Sequence, residues 1–199
     1  MSALAFADPV FESQAVFRRI MRAMATPGTI FPCGEALAPP APLAPAAAAA
    51  LLTLADFETP LWIAPSFAAA SGDAVAAYLT FHTGAPLAPS PDTAAFALID
   101  LAADGLRLEQ FALGSAEYPD RSTTVVAQGA SLSEGLALSL AGPGVQGEAE
   151  LRAAPLPRDF LAQWRANRSR FPLGVDMILA AGTNLACLPR SVVLSEETR

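Results

Sequence analysis

Val175-Asp176-Met177-Ile178-Leu179-Ala180 and Leu185-Ala186-Cys187-Leu188 are two apolar runs separated by the turn triplet Gly182-Thr183-Asn184. Each run reads as a strand, and the turn between them makes a hairpin. Just upstream, Pro157 to Arg168 carries Phe160, Leu161 and Trp164 at helical spacing. Working outward, Thr123 to Gln128 and Leu136 to Leu140 read as two more strands, with Ser133-Glu134-Gly135 as the turn of a second hairpin. Ala94 to Leu101 is a further apolar strand, and Leu61-Trp62-Ile63-Ala64 is a short one expected to be buried on both faces. Between the strands, Ala46 to Ala55 reads as a buried alanine-rich helix and Gly72 to Leu79 as another. Phe81-His82-Thr83-Gly84-Ala85-Pro86 reads as a loop bracketed by Gly and Pro. Near the amino terminus, Asp8-Pro9 opens a helix that Thr26-Pro27-Gly28 closes, with Thr29 to Phe31 as a short strand after it. Within that helix Val10, Phe17, Ile20, Met21 and Met24 recur at helical spacing, as a core stripe or a subunit interface. Helices and hairpins interleave, so the expectation is an α/β chain, residues 1–199 as a single domain, with a mixed sheet flanked by helices.

Composition narrows the chemistry. All 12 of the Lys+Arg residues are arginine. Without lysine, no side chain can form a Schiff base with a carbonyl or with pyridoxal phosphate, and a lysine-type phosphate loop is excluded. There is one histidine, His82, and there are two cysteines, Cys33 and Cys187, too far apart for a C-x-x-C motif. A closed zinc site needs more ligands than these, so no metal is expected, and the cysteines read as buried free thiols. The net charge of -7 argues against nucleic acid and anionic lipid as partners. Mean hydropathy is +0.39. Alanine inflates it, and the most apolar stretch, Leu43 to Ala55, is too short to span a bilayer, so a cytoplasmic location is expected.

Several local patterns could carry chemistry. Gly142-Pro143-Gly144-Val145-Gln146-Gly147 literally fits a dinucleotide fingerprint, but prolines at 155 and 157 cut short any following helix. It also lacks the acidic residue roughly 20 positions on that would hold ribose, so it reads as a plain turn. His82 is either a ligand contact, together with its neighbour Thr83, or a loop anchor, and no G-x-S-x-G elbow offers it a serine. Tyr118-Pro119-Asp120-Arg121-Ser122 precedes a strand, where Arg121 and Ser122 could grip an oxyanion or simply organise a turn. Asp176 sits among apolar residues and needs a partner, for which Arg190 is the candidate. Arg165, Arg168 and Arg170 read as a solvated helix face that could also meet an anion.

Taken in order along the chain, Phe17-Arg18-Arg19-Ile20-Met21-Arg22-Ala23-Met24-Ala25-Thr26-Pro27-Gly28, Leu51-Leu52-Thr53-Leu54-Ala55-Asp56, Thr59-Pro60-Leu61-Trp62, Phe81-His82-Thr83, Tyr118-Pro119-Asp120-Arg121-Ser122 and Phe171-Pro172-Leu173-Gly174-Val175-Asp176 resemble the PhnH family. This is the H subunit of the carbon–phosphorus lyase core complex. The resemblance spans nearly the whole chain. It implies a fold similar to pyridoxal-phosphate-dependent transferases but without the cofactor, and a cytoplasmic homodimer that joins G-, I- and J-type subunits. It also implies support for transfer of the ribose triphosphate of ATP to an alkylphosphonate with loss of adenine, ATP being a substrate of the complex. The radical cleavage step would belong to another subunit. The family's closing Pro-Arg is kept as Pro189-Arg190, but Ser191 and Val192 stand where two threonines are usual. No catalytic residue is assigned by the resemblance; His82, Thr83, Arg121, Ser122 and Arg190 are candidate ligand contacts.

Overall fold

The computed structural model of the protein describes residues 5–196. Helix α1 (Pro9–Ala25) begins where Asp8 accepts a hydrogen bond from the Phe11 amide at 3.2 Å, with Pro9 in the first turn. Such a cap contributes about 1 kcal/mol. Its buried stripe is Val16, Ile20 and Ala23. Of the stripe anticipated from sequence, Ile20 is in the core whereas Val10, Phe17 and Met21 face outward. A short strand β1 (Phe31–Pro32) leads to α2 (Pro45–Leu54), then β2 (Leu61–Ile63). Next come α3 (Pro65–Ser71) and α4 (Ala74–Thr83), then strands β3 (Phe96–Asp100), β4 (Thr124–Gln128), β5 (Ser131–Ala141) and β6 (Ala149–Ala154). Helix α5 (Phe160–Arg168) and strands β7 (Asp176–Ala181), β8 (Asn184–Leu188) and β9 (Val193–Glu196) complete the chain.

The main sheet has six strands in the order β1-β8-β7-β4-β3-β2, and a second sheet has three, β6-β5-β9. Strands β2, β3, β4 and β7 are parallel, while β8 is antiparallel to both β7 and β1. The sheet is therefore mixed, with helices packed on it, as the 175–188 hairpin implies. Successive residues of β3, β4, β7 and β8 are buried regardless of the side they point to, so both faces are covered.

Helix α2 lies against β4, β7 and β8, and also against α1 and α4. Its residues Ala46, Ala47, Ala48, Ala49 and Ala50 expose no surface. A helix enclosed on every side by elements this close can carry only methyl groups there. Its first turn is satisfied from outside: the Ala44 amide donates to Gln128 Oε1 at 2.9 Å, and the Ala46 amide donates to the Gly182 carbonyl at 2.9 Å. The helix is thus fastened at its amino end to the carboxyl ends of β4 and β7.

Three sequence expectations are corrected. Strands β4 and β5 do not form a hairpin: β4 is parallel to β3 and β7, and β5 pairs with β6 and β9. Ser133-Glu134-Gly135 lies inside β5, where the register shifts between Ser131 and Leu136. Gly135 has φ +95°, and a Cβ there would meet the Ala153 carbonyl oxygen at 2.4 Å, so this glycine serves a bulge rather than a turn. The expected 81–86 loop begins only at Gly84, because Phe81, His82 and Thr83 form the last turn of α4. Gly84 takes the left-handed cap position (φ 73°), which places the stop signal three residues later than the Gly/Pro bracket suggested. Helix α3 and strands β6 and β9 lack strong sequence signals and were not anticipated.

The expected turn at Gly142–Gly147 is observed between β5 and β6. A Cβ on Gly144 would come within 2.3 Å of the Ala25 carbonyl oxygen, so the glycine permits this turn to pack on the end of α1.

The enclosure of α2 gives a direct test. Ala48→Leu forces four heavy atoms' worth of side chain into a space built for one, and is expected to lower unfolding free energy by about 1–3 kcal/mol, read by urea denaturation.

Candidate functional site

Strand order bears on where chemistry could sit. In open α/β sheets, ligands bind outside the carboxyl ends of parallel strands where the strand order reverses. Here β2, β3, β4 and β7 follow one another in space in chain order, so the parallel strands have no reversal. The carboxyl edge is moreover closed by its own polar groups. Gln128, buried, donates from Nε2 to Asp100 Oδ2 at 3.0 Å and to the Pro42 carbonyl at 3.0 Å, while its oxygen caps α2. Asp100 Oδ1 accepts from the amides of Ala102 and Ala103 at 2.9 and 3.1 Å. Asp104 accepts from the Asp100 amide at 3.0 Å and from the Ser66 hydroxyl at 2.7 Å.

The sequence-derived candidates fall into three separate places. At the amino edge of the parallel strands, Arg190 and Ser122 come together around Asp176, the first residue of β7. Arg190 Nε lies 3.1 Å from each Asp176 oxygen, and one terminal nitrogen reaches Asp176 Oδ2 and Ser122 Oγ, the latter at 2.6 Å. The other terminal nitrogen donates to the carbonyls of Pro119 and Pro172 at 2.9 and 3.3 Å. A guanidinium has five N–H donors, and all are engaged within the chain, so an anion would have to displace an internal bond. The anticipated Asp176–Arg190 ion pair is present.

Arg121 points elsewhere. It is exposed, with its guanidinium carbon 4.1 Å from the centre of the Tyr118 ring. The adjacent Ser122 is buried, so the two neighbours do not converge on one point. His82 stands on the last turn of α4, its ring edge-on to Tyr78 and Phe81 at 4.8 and 4.9 Å. No hydroxyl, thiol or carboxylate hydrogen-bonds to it among the described residues, which leaves it without the partners a general base needs. Thr83 donates to the Leu79 carbonyl at 2.7 Å and accepts from the Ala85 amide at 3.0 Å, closing the helix end. Burial raises the hydroxyl pKa of Tyr78 above its ordinary value.

Sequence reasoning missed one concavity. A cleft of about 680 Å³ opens between the 104–109 segment and α5, with Arg107 and Arg170 beside Asp104, Glu109 and Asp159. Its floor is organised by two amides acting as substitute peptide groups. Gln163 accepts from the Leu108 amide at 2.9 Å and donates to the Leu106 carbonyl at 2.8 Å; Asn167 pairs with both the amide and the carbonyl of Val175 at 2.9 Å. No spacing rule marks these residues, because their partners lie on distant segments. Arg165, Arg168 and Arg170 are exposed, as the solvated-face reading expects.

Both cysteines are buried free thiols. Burial pushes the Cys33 thiol up to about 11, against a small opposing pull from Arg19. Burial, reinforced by Asp176 and Cys33, raises Cys187 further. Neither is a thiolate at neutral pH, which removes both as nucleophiles. Among the described residues no group of three or more His, Cys, Asp or Glu is placed to hold a metal ion, and no helix is long and apolar enough to cross a membrane.

What these features define is an α/β protein in which the polar residues at the two ends of its parallel strands bond to one another. A family model described as bacterial phosphonate metabolism protein (PhnH) matches residues 4–195. The chain is 44% identical over 193 residues to the alpha-D-ribose 1-methylphosphonate 5-triphosphate synthase subunit PhnH of Rhizobium meliloti (strain 1021), covering 97% of this chain and 95% of that protein. It is 35% identical over 184 residues to a putative C-P lyase subunit protein, HtxG, of Stutzerimonas stutzeri, covering 89% of this chain and 83% of that one. The chain belongs to the PhnH family of bacterial phosphonate metabolism proteins.

Two outcomes test the site description. Arg190→Ala strands a mostly buried carboxylate and is expected to cost about 2–3 kcal/mol in urea denaturation, whereas Arg121→Ala, on an exposed side chain, should stay within about 0.5 kcal/mol. The thiols predict a pH dependence. Below their ordinary value of 9.0, both are protonated in folded and unfolded chains alike. As pH rises past that value the unfolded chain ionises first, so stability is lost progressively through the folded value of about 11 for Cys33. A Cys33→Ala/Cys187→Ala variant, compared with the parent between about pH 8 and pH 10.5, should show a shallower decline.

Proposed function

We propose that this chain is a non-autonomous subunit of a carbon–phosphorus lyase assembly. In this reading it supports transfer of the ribose triphosphate of ATP to an alkylphosphonate, with adenine displaced, and supplies shape and contact surface rather than reacting groups. The observation that carries the proposal is the 44% identity, over 97% of this chain, to a protein named as a subunit of a ribose methylphosphonate triphosphate synthase. Three further observations support it: no hydroxyl, thiol or carboxylate hydrogen-bonds to His82 among the described residues, Arg190 is fully engaged, and the parallel strands lack the reversal at which ligands usually bind. The whole chain acts as one cytoplasmic domain, pairs as a homodimer and joins G-, I- and J-type subunits. Its fold is related to pyridoxal-phosphate-dependent transferases without holding that cofactor, which a lysine-free sequence cannot bind through a Schiff base.

The purified chain is expected to give no turnover of ATP plus methylphosphonate, and turnover is expected to appear when partner subunits are added. His82→Ala is expected to leave the reconstituted rate within about twofold of the parent. Turnover by the chain alone, abolished in the His82 variant, would refute the proposal in favour of a stand-alone enzyme.

A further inference from the structure

We propose that the cleft between the 104–109 segment and α5, with the outer face of α5 beside it, is a docking surface for an acidic, extended segment of another protein. This rests on the subunit role proposed above and assigns a contact surface to it. The chain has a net charge of -7, yet four arginines meet here. Arg107 lines one wall of the cleft and Arg170 the other, while Arg158 and Arg165 accompany α5. All four residues are exposed, and none forms an ion pair among the described residues.

The helix face and the cleft are continuous. A 3.6-residue period sets Ala162, Arg165 and Ala166 on the side of α5 opposite the buried Phe160, Trp164 and Asn167. Ala166 also lines the cleft, so only small side chains separate the outer arginines from it. The extent of the patch selects an extended occupant. Helix α5 has 9 residues and is about 14 Å long, with Arg158 ahead of its first residue and Arg170 beyond its last. One oxyanion cannot bridge that length, whereas an extended chain covers it in about four or five residues.

The carboxylates of the cleft select which polyanion. Asp104 accepts from the Asp100 amide and the Ser66 hydroxyl, and Asp159 accepts from Gln163 Nε2 at 3.0 Å, so both are held in place by internal donors. Glu109 adds a third negative charge. Fixed carboxylates among the arginines repel the unbroken charge of a nucleic acid or an anionic bilayer, as does the net charge of the chain. A peptide carries its carboxylates at intervals, and its backbone amides are donors that suit Asp104, Glu109 and Asp159. Gln163 and Asn167 each hold a backbone amide and carbonyl beneath the cleft, so its floor is ordered before a partner arrives, which lowers the cost of binding.

The test uses the full chain and a labelled peptide of about eight residues, alternating glutamate and alanine, about 26 Å long when extended. Fluorescence anisotropy near physiological ionic strength is expected to show saturable binding, and none for the same peptide with glutamine in place of glutamate. Arg107→Gln/Arg170→Gln and Arg158→Gln/Arg165→Gln are each expected to raise the dissociation constant at least about fivefold, with thermal melting unchanged because all four residues are exposed. Arg168, whose Nε donates to the Ser191 carbonyl at 3.4 Å, lies on the flank of α5 turned away from the cleft and supplies the control. Arg168→Gln should change binding less than about twofold, because salt screens a charge outside the contact. An equal loss in Arg168→Gln would reduce the effect to net charge and overturn the proposal. So would an absence of binding, tighter binding of a single-stranded oligonucleotide of the same length, or displacement by inorganic phosphate beyond that by sodium chloride of equal ionic strength. Co-purification with the other subunits is scored separately. Assembly untouched by both double variants sinks this surface and leaves the subunit role standing, whereas turnover by the chain alone removes that role and leaves the peptide result as measured.

Discussion

Helix α2 is buried on all sides, and a helix in that position cannot leave its first amides bare. Each unsatisfied buried donor costs about 1–3 kcal/mol. The amides of Ala44 and Ala46 are met by Gln128 at the end of β4 and by the Gly182 carbonyl in the β7–β8 turn. That single requirement ties three distant segments together. It fixes the height of α2 over the sheet, where Ala46 to Ala50 are fully enclosed. It also draws Gln128 inward, where its amide engages Asp100 and Pro42.

The same requirement removes the usual place for a ligand. A helix amino terminus above the carboxyl edge of a parallel sheet is where many α/β proteins hold phosphate. In this chain that terminus is occupied by the protein's own side chain and carbonyl. Asp100 and Asp104 close the neighbouring strand end in the same way, each accepting amides or a hydroxyl from nearby loops. At the opposite edge Arg190 spends its donors on Asp176, Ser122 and two proline carbonyls. At both ends of the parallel strands, polar side chains join segments of the chain.

The chain belongs to the PhnH family and is 44% identical to a protein named as a synthase subunit. Large apolar side chains remain in water on α1, on the turn after α2 at Phe57 and on α4 at Phe81.

The residue pattern alone determined that this is an α/β chain with a mixed sheet, because the apolar runs at 175–180 and 185–188 are too close for anything but a hairpin. It also determined the buried helix at 46–55, the Asp176–Arg190 pair and the absence of any side-chain amine for Schiff-base chemistry. Those features rest on local periodicity or on composition, which a linear sequence carries in full. Only the tertiary structure decided that β4 is flanked by β3 and β7 rather than by β5, since a bulge glycine and a turn glycine look alike until the facing strand is known. It likewise decided that Arg121 and Ser122, adjacent in sequence, face different surroundings, and that Phe17 and Met21 look outward while Ile20 looks in. Each of these depends on which surface a neighbouring segment covers, and that is settled by packing between residues far apart in the chain.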